Sequence, residues 1–309
     1  MERQNDFKNV PNLFEEILKK KWDEIHEGPK VFRYKIKEIN EKYLQEKYLI
    51  QLNPDRGKKR REPEAIHSLS QPFDETKFNF MKASSNEILL TLINGNEEHV
   101  FLVNVSPIAR YHILFCPYMG SCLPQTITLD SLELVVKMMF ASQDRDLRIG
   151  FNSLCAFASV NHLHYHLLFE KRTLYIEQVK WNHLKGPVYF KEDYPVPAFC
   201  CNIKKLSETI NAYILIKYLV DKSIAHNVLI TNRKSQETGV HVIIWPRKKT
   251  EGAKQFTDFN VAVCELSGWI PIYDEETYRT ITAEQIEDEL KKWKLDDFFE
   301  LCEGIKSLY

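Results

Sequence analysis

Three histidines alternate with apolar residues in the stretch His162-Leu163-His164-Tyr165-His166-Leu167-Leu168. Successive side chains of a β-strand point to opposite faces, so this alternation predicts a strand over residues 157–169 with the three imidazoles on one face. The apolar residues between them are then directed into the core. Burying three imidazoles without partners would cost free energy, so the pattern favours a functional site over three structural histidines.

Apolar periodicity in the rest of the chain predicts short helices and strands in mixed order. The predicted helices cover residues 11–26, 130–141 and 207–220 and a last stretch capped by Thr282 and Gln285; the predicted strands cover 31–36, 48–52, 88–93, 99–105, 113–116, 147–151, 226–231 and 240–245. Asp130 and Glu133 resemble a capping box at the start of the second helix. Because a regular β-α-β alternation is missing, we expect an α+β fold with a mostly antiparallel sheet.

The length of 309 residues favours about two domains. The pattern changes after a proline-containing stretch, so we expect an N-terminal half at residues 1–190, with the histidines, and a C-terminal half at 191–309. Residues 103–117 and 225–246 each contain a histidine and an apolar strand closed by proline. This loose similarity suggests an internal duplication.

Composition excludes several classes of protein. The formal net charge is −1, which predicts no bulk attraction to nucleic acid or to an acidic membrane. We find neither a run of 18 apolar residues nor a secretory signal at the polar start. Seven cysteines without a C-x-x-C pair indicate reduced thiols and a cytoplasmic protein.

The basic run Arg56–Arg61 is either a solvated loop or a feature that steers an anionic substrate.

Two kinds of chemistry fit the histidine row. His164, His166 and Glu170 have the His-x-His-x₃-Glu spacing of a cupin-like metal site. That site would lack its usual flanking glycines and would give His162 no task. Alternatively, a neutral histidine attacks phosphorus as a nucleophile while its neighbours donate hydrogen bonds or transfer protons. The residues by themselves leave both open.

The triad resembles the His-φ-His-φ-His-φ-φ signature of the histidine triad superfamily. Further stretches are similar to the GDP-sugar phosphorylases within it, namely the animal GDP-D-glucose phosphorylases and the plant GDP-L-galactose phosphorylases. They include Gln71-Pro72-Phe73-Asp74, Leu123-Pro124-Gln125, Gly150-Phe151-Asn152-Ser153-Leu154 and residues 259–268. The resemblance implies a histidine-triad-like antiparallel sheet with flanking helices, in two similar halves packed together.

The resemblance also implies a double displacement. His164 attacks the α-phosphorus of GDP-glucose, glucose 1-phosphate leaves, and inorganic phosphate then releases GDP from the guanylyl-histidine. His162 orients His164, His166 contacts phosphoryl oxygens, and His112 matches a further histidine of the superfamily. No cofactor or metal is implied, and the partners are GDP-glucose and phosphate, with neither nucleic acid nor membrane. We make no prediction about the oligomeric state.

Four polar residues are expected to bind substrate by the same resemblance. Asn152 and Ser159 match positions that face the phosphate or the leaving group, Asn104 matches one near the ribose, and Asn161 precedes the triad directly. Tyr111 and Cys155 stand where relatives often have glycine, and the plant relatives have glutamine in place of His166.

The alternatives to a phosphorylase are of three kinds. The first is a metal-dependent, cupin-like enzyme that uses His164, His166 and Glu170. The second is a nucleotide-sugar hydrolase, in which water replaces phosphate. The third is a non-catalytic nucleotide-binding module.

Overall fold

The computed structural model describes residues 14–28, 31–36, 38–59, 66–232, 239–250 and 259–309. The helices in these ranges are α1 Phe14–Glu27, α2 Pro54–Lys59, α3 Leu129–Ala141, α4 Tyr175–Gln178, α5 Thr209–Asp221, α6 Val263–Ser267, α7 Glu275–Thr280, α8 Ala283–Lys291 and α9 Phe298–Lys306. The strands are β1 Glu41–Leu44, β2 Tyr48–Leu52, β3 Ile88–Asn94, β4 Glu97–Val103, β5 Ile113–Cys116, β6 Leu147–Asn152, β7 Tyr165–Phe169, β8 Asn182–Lys185, β9 Val188–Lys191, β10 Ala198–Ile203, β11 Ala225–Thr231, β12 Val240–Arg247 and β13 Trp269–Ile272.

A ten-stranded antiparallel sheet forms the centre of the molecule, in the order β3-β4-β5-β7-β6-β11-β12-β10-β9-β8. It contains two groups of five strands with the same plan. In each group three strands precede a helix (α3 or α5) and two follow it, and the last strand inserts between the third and the fourth. The expected α+β class, with an antiparallel sheet and flanking helices, is confirmed.

The two groups join through β6 and β11, where Asn152 lies opposite Asn227 and Arg148 opposite Thr231. By strand order the second group begins at β8. The expected boundary at residues 190 and 191 lies inside β9, so the division between the strand groups falls earlier in the chain, between β7 and β8.

The faces of the large sheet are buried by different elements. One face packs against α1, α3, α5 and α9 around side chains such as Phe151 and Leu215. The other face, over β10–β12, packs against α6, α8 and the small sheet β1-β2-β13, in which β13 runs parallel to β2. Over β4–β7 this second face borders a cavity instead.

Two predicted features differ from the observed ones here, and the strand through the triad is described with the site below. Residues 31–36 form bends rather than a strand, and one backbone hydrogen bond, from Arg33 to Val105, ties them to the rest. The cap of α3 is Thr128, whose hydroxyl accepts from the Ser131 N–H, rather than Asp130. Residues 11–13 of the first predicted helix and residues 60–61 of the basic run lie outside the described residues. No helix among those described is long and apolar enough to cross a bilayer.

Candidate active site

A cavity of about 340 Å³ lies against β4–β7 and is also lined by Asn260 and by residues 262–265 around the start of α6. It brings together, from separate parts of the sequence, Arg33, Arg56, Phe80, Asn104, His112, Asn152, Ser159, His164 and His166. Of the eight residues expected at the site, six therefore share one cavity. The other two, His162 and Asn161, do not line it.

The predicted strand through the triad is shorter than expected. β7 begins at Tyr165, so only His166 of the three histidines belongs to it. Upstream, Cys155 and Phe157 adopt positive φ values of 57° and 70° in a turn, which is incompatible with a continuous strand. The departure from glycine at Cys155, and likewise at Tyr111 with a φ of 62°, falls at a left-handed position that glycine adopts without strain.

In place of a neighbouring strand, the side chain of Gln125 holds the backbone of His164. The Gln125 Oε1 accepts from the His164 N–H at 2.8 Å, and its Nε2 donates to the His164 carbonyl at 3.1 Å and to the Asn152 carbonyl at 3.0 Å. Gln125 is 1% exposed. It fixes the backbone position of His164, and the sequence indicated Gln125 only as part of a family stretch.

The ring of His164 has a defined tautomer. Its Nδ1 lies 2.8 Å from the backbone carbonyl oxygen of His162, which can only accept, so Nδ1 carries the proton of the neutral ring. The Nε2 therefore bears the lone pair, and it is the atom through which the neutral ring could act as a nucleophile. The ring of Phe80 lies 4.9 Å from that of His164, centroid to centroid, and supports it from one side.

A second chain of hydrogen bonds defines the tautomer of His166. The Ile108 N–H donates to Nδ1 of His112 at 3.0 Å, so His112 carries its proton on Nε2. That Nε2 lies 2.9 Å from Nδ1 of His166 and donates to it, which leaves the His166 proton on Nε2. Burial, reinforced by the charge of Arg56 and by that of His164 when it is protonated, holds the pKa of His112 well below its ordinary value. His112 is therefore a neutral donor, and His166 presents an N–H group suited to a phosphoryl oxygen.

His162 acts on His164 through its backbone. Its ring Nδ1 accepts a hydrogen bond from the Phe80 N–H at 3.2 Å, and the ring lies beside Phe73. Its carbonyl oxygen accepts a hydrogen bond from the Nδ1–H of His164. Burial lowers the pKa of His162.

The asparagines have different surroundings. The Asn104 Oδ1 accepts from the Ser106 N–H at 3.0 Å. Its Nδ2 lies 3.2 Å from Nε2 of His112, but both groups are donors in this tautomer, so the contact is not a hydrogen bond. Asn161, expected to bind substrate, instead joins pieces of backbone. It accepts from the Gln125 N–H and donates to the carbonyls of Gln71 and Pro72. Those bonds hold the Gln125 segment and the 71–72 loop together.

Two arginines bring positive charge to the cavity. Arg56 is partly buried, and its Nη1 donates to the Ser106 carbonyl. Its backbone N–H donates to Oδ1 of Asn53 at 3.1 Å. Arg33 is exposed at the edge of the cavity. Glu170 of the cupin-like hypothesis lies elsewhere, since its carboxylate accepts from Nε of Arg172 at 2.7 Å and it does not line the cavity. In the described part of the chain, no three His, Cys, Asp or Glu side chains are grouped to hold a metal.

Comparison with known proteins gives consistent matches over both halves. Residues 13–168 match the family described as "GDPGP1-like, N-terminal domain", and residues 177–308 match "GDPGP1-like, C-terminal domain". Among relatives, GDP-D-glucose phosphorylase 1 of Danio rerio is 34% identical over 91% of this chain and 87% of its own length. The Xenopus laevis protein of the same name is 31% identical over 92% and 84%. GDP-L-galactose phosphorylase 2 of Arabidopsis thaliana is 29% identical over 86% and 68%.

The fold has a counterpart among solved structures. Yeast Ap4A phosphorylase Apa2, in complex with Ap4A, superposes with a TM-score of 0.68 at 13% identity, covering 92% of this chain and 98% of that one. At that identity the likeness shows the fold alone. The matches to both family domains, together with relatives above 30% identity over most of either length, show that the chain belongs to the GDPGP1-like family.

Proposed function

We propose that this protein is a GDP-D-glucose phosphorylase, a nucleotidyltransferase that moves GMP from GDP-glucose to inorganic phosphate. The observation that carries the proposal is the tautomer of His164, whose Nδ1–H is held by the His162 carbonyl so that Nε2 bears a lone pair in the cavity. The named activity of the vertebrate relatives supports the substrate.

In the first half-reaction, Nε2 of His164 attacks the α-phosphorus of GDP-glucose. A P–N bond forms, the bond between the α-phosphorus and the bridging oxygen breaks, and glucose 1-phosphate leaves with the electron pair. The imidazole becomes positively charged, and the hydrogen bond from Nδ1–H to the His162 carbonyl strengthens as that charge develops. The Nε2–H of His166 is suited to a non-bridging oxygen, where it would offset the negative charge of the transition state.

In the second half-reaction, an oxygen of inorganic phosphate attacks the same phosphorus and the P–N bond breaks. GDP is released, and His164 returns to the neutral tautomer. Because each attack is in line, the leaving and entering oxygens lie on the same side of phosphorus, opposite His164. One anion subsite therefore serves both, and Arg56 is our candidate for its cation.

We assign the triad chemistry to the N-terminal half, which by strand order ends between β7 and β8 rather than at residue 190, and a supporting role to the C-terminal half. Support comes from Asn260, Ala262 and Val263, which border the same cavity from the C-terminal half. We also propose a cytoplasmic location. None of the seven cysteines, all within the described ranges, forms a disulfide, which fits a reducing compartment.

The experiment is a panel of nucleotide sugars incubated with and without phosphate, with GDP, GMP and sugar 1-phosphate quantified. We expect phosphate-dependent release of GDP and glucose 1-phosphate from GDP-glucose. When phosphate is omitted and the GDP-glucose carries a radiolabel in its α-phosphate, labelled GMP should remain bound to the protein. His164→Ala should abolish that labelling. GMP release at the same rate with or without phosphate would identify a hydrolase, and labelling that survives His164→Ala would reject the nucleophile.

A further inference from the structure

Asn152 stands at the end of β6, and the structure fixes which end of its amide faces the cavity. Its Oδ1 accepts from Nδ2 of Asn227 at 2.7 Å and from the Val263 N–H at 3.0 Å. These two donors use the acceptor capacity of the carbonyl oxygen. The NH₂ group of Asn152 is thus the part that can donate to a ligand in the cavity.

The close approach of α6 that supplies one of these donors depends on Gly150. A Cβ at that position would lie 2.8 Å from Cγ1 of Val263. The absence of a side chain at Gly150 allows the N-terminus of α6 to lie directly on β6 and its first N–H to reach Asn152.

Asn227 comes from the C-terminal strand group and lies directly opposite Asn152 in the β6–β11 ladder. It is fully buried. Its Nδ2 donates to the Ala156 carbonyl at 2.9 Å as well as to Asn152, and its Oδ1 lies 3.4 Å from Nη1 of Arg247. A carbonyl acceptor on one side and a cation on the other therefore decide the orientation of this amide.

Arg247 is itself held firmly. Its guanidinium lies 4.3 Å from the ring centroid of Trp293 and 5.0 Å from that of Phe157, and it donates to the carbonyls of Val261 and Lys248. It is 1% exposed. Burial lowers its pKa to about 9, against a raising contribution from Glu265, so the side chain is protonated at pH 7.

We propose that Asn227 and Arg247 are positioning residues of the active site, which orient the Asn152 amide with its NH₂ group toward a phosphoryl oxygen of the substrate. The inference rests on the proposed function. It gives the second strand group a role in the reaction that acts through Asn152. An amide oriented before the substrate binds needs no reorganisation in the transition state, which is what makes a fixed donor effective.

The test is a double-mutant cycle between Asn227→Asp and Asn152→Ala. Aspartate keeps the shape of asparagine and can pair with Arg247, but it has no N–H for Asn152. We expect kcat/KM to fall about 10- to 100-fold in each single variant, the equivalent of one hydrogen bond to a charged group. In the Asn152→Ala background, Asn227→Asp should change kcat/KM by less than about twofold, because its effect acts through Asn152.

Thr231→Val is the matched control. Thr231 lies on the same strand as Asn227, and its hydroxyl donates to Oε1 of Glu177 at 2.7 Å, away from the cavity. This variant should lower the free energy of unfolding and leave kcat/KM unchanged. Unfolding by urea is measured for every variant, and Asn227→Ala replaces Asn227→Asp in the cycle if the aspartate variant does not fold.

Two outcomes overturn the positioning role. The first is that Asn227→Asp has the same kcat/KM as the parent chain. The second is that Asn227→Asp lowers kcat/KM by the same factor in the parent chain and in the Asn152→Ala variant. These are distinct from failure of the proposed function, which would show as a parent chain that does not phosphorolyse GDP-glucose. In that case the same cycle is measured on the dissociation constant of GDP by calorimetry. A cycle that is additive there also rejects the role, and a non-additive one retains it.

Discussion

Replacing Gln125 by leucine tests whether one buried side chain positions the nucleophile. Leucine nearly matches the volume of glutamine but leaves the His164 N–H and the carbonyls of His164 and Asn152 without the partners that Gln125 provides. An unpaired buried N–H costs roughly 1–3 kcal/mol, and a carbonyl, which has two lone pairs, costs less. For these three groups we expect the free energy of unfolding to fall by about 3 kcal/mol.

The same substitution should reduce catalysis, because His164 precedes β7 and depends on Gln125 for its backbone position. A displacement of about 1 Å can cost about 100-fold in rate, and we expect kcat to fall by that order. Urea unfolding followed by tryptophan fluorescence gives the stability, and rapid-quench formation of labelled guanylyl-protein gives the rate of the first half-reaction. The exposed Gln178→Leu is the control and should leave both quantities unchanged.

The reasoning is refuted if the free energy of unfolding of Gln125→Leu lies within about 0.5 kcal/mol of that of the parent chain, which is the range expected of a surface substitution. It is also refuted, for catalysis, if the variant loses stability while the rate of guanylylation is retained.

Three further perturbations have defined outcomes. Arg148→Met should lower the free energy of unfolding by about 3–5 kcal/mol in urea titrations, because it leaves the carboxylate of Glu177 buried without its cation, and adding Glu177→Leu should recover part of the loss. Burial lowers the pKa of His226 to about 4 from 6.5, so the folded state binds this proton more weakly and stability is lost as pH falls below 6.5. Between pH 6.5 and 5 the free energy of unfolding should fall by about 2 kcal/mol through this residue, and His226→Gln should remove that part of the pH dependence. Equal slopes of unfolding free energy against pH in the parent chain and the variant would contradict this. Arg56→Gln should lower kcat/KM for GDP-glucose about tenfold or more, the equivalent of one charged hydrogen bond, and unchanged values would exclude Arg56 from the anion subsite.

The sequence predicted the elements whose pattern is local. Strands β2–β7 and β11–β12, helix α5 and the capped helix α8 follow apolar periodicity, and the histidine alternation pointed to the residues that the cavity brings together. The strand through the triad was predicted too long because alternation alone does not register the positive φ value at Phe157 or the bend over residues 160–162. Polar contacts between distant positions left no such signal, as with Gln125, whose partner His164 is 39 residues away.

The two strand groups share a plan but use the corresponding face differently, and this explains why the cavity lies over the first half of the sheet. In the second group, Ile243 and Trp245 on β12 are buried against Trp269 and Ile270, with α8 completing the cover. A face that supplies apolar core in this way cannot also admit a charged nucleotide sugar, since the same side chains would have to be exposed to water. In the second group, polar side chains connect to the cavity through β11, where Asn227 donates to Asn152, and Arg247 at the end of β12 donates to Asn227. The proposed contribution of the second group to the reaction therefore runs through the pairing of β11 with β6, and the double-mutant cycle measures that contribution.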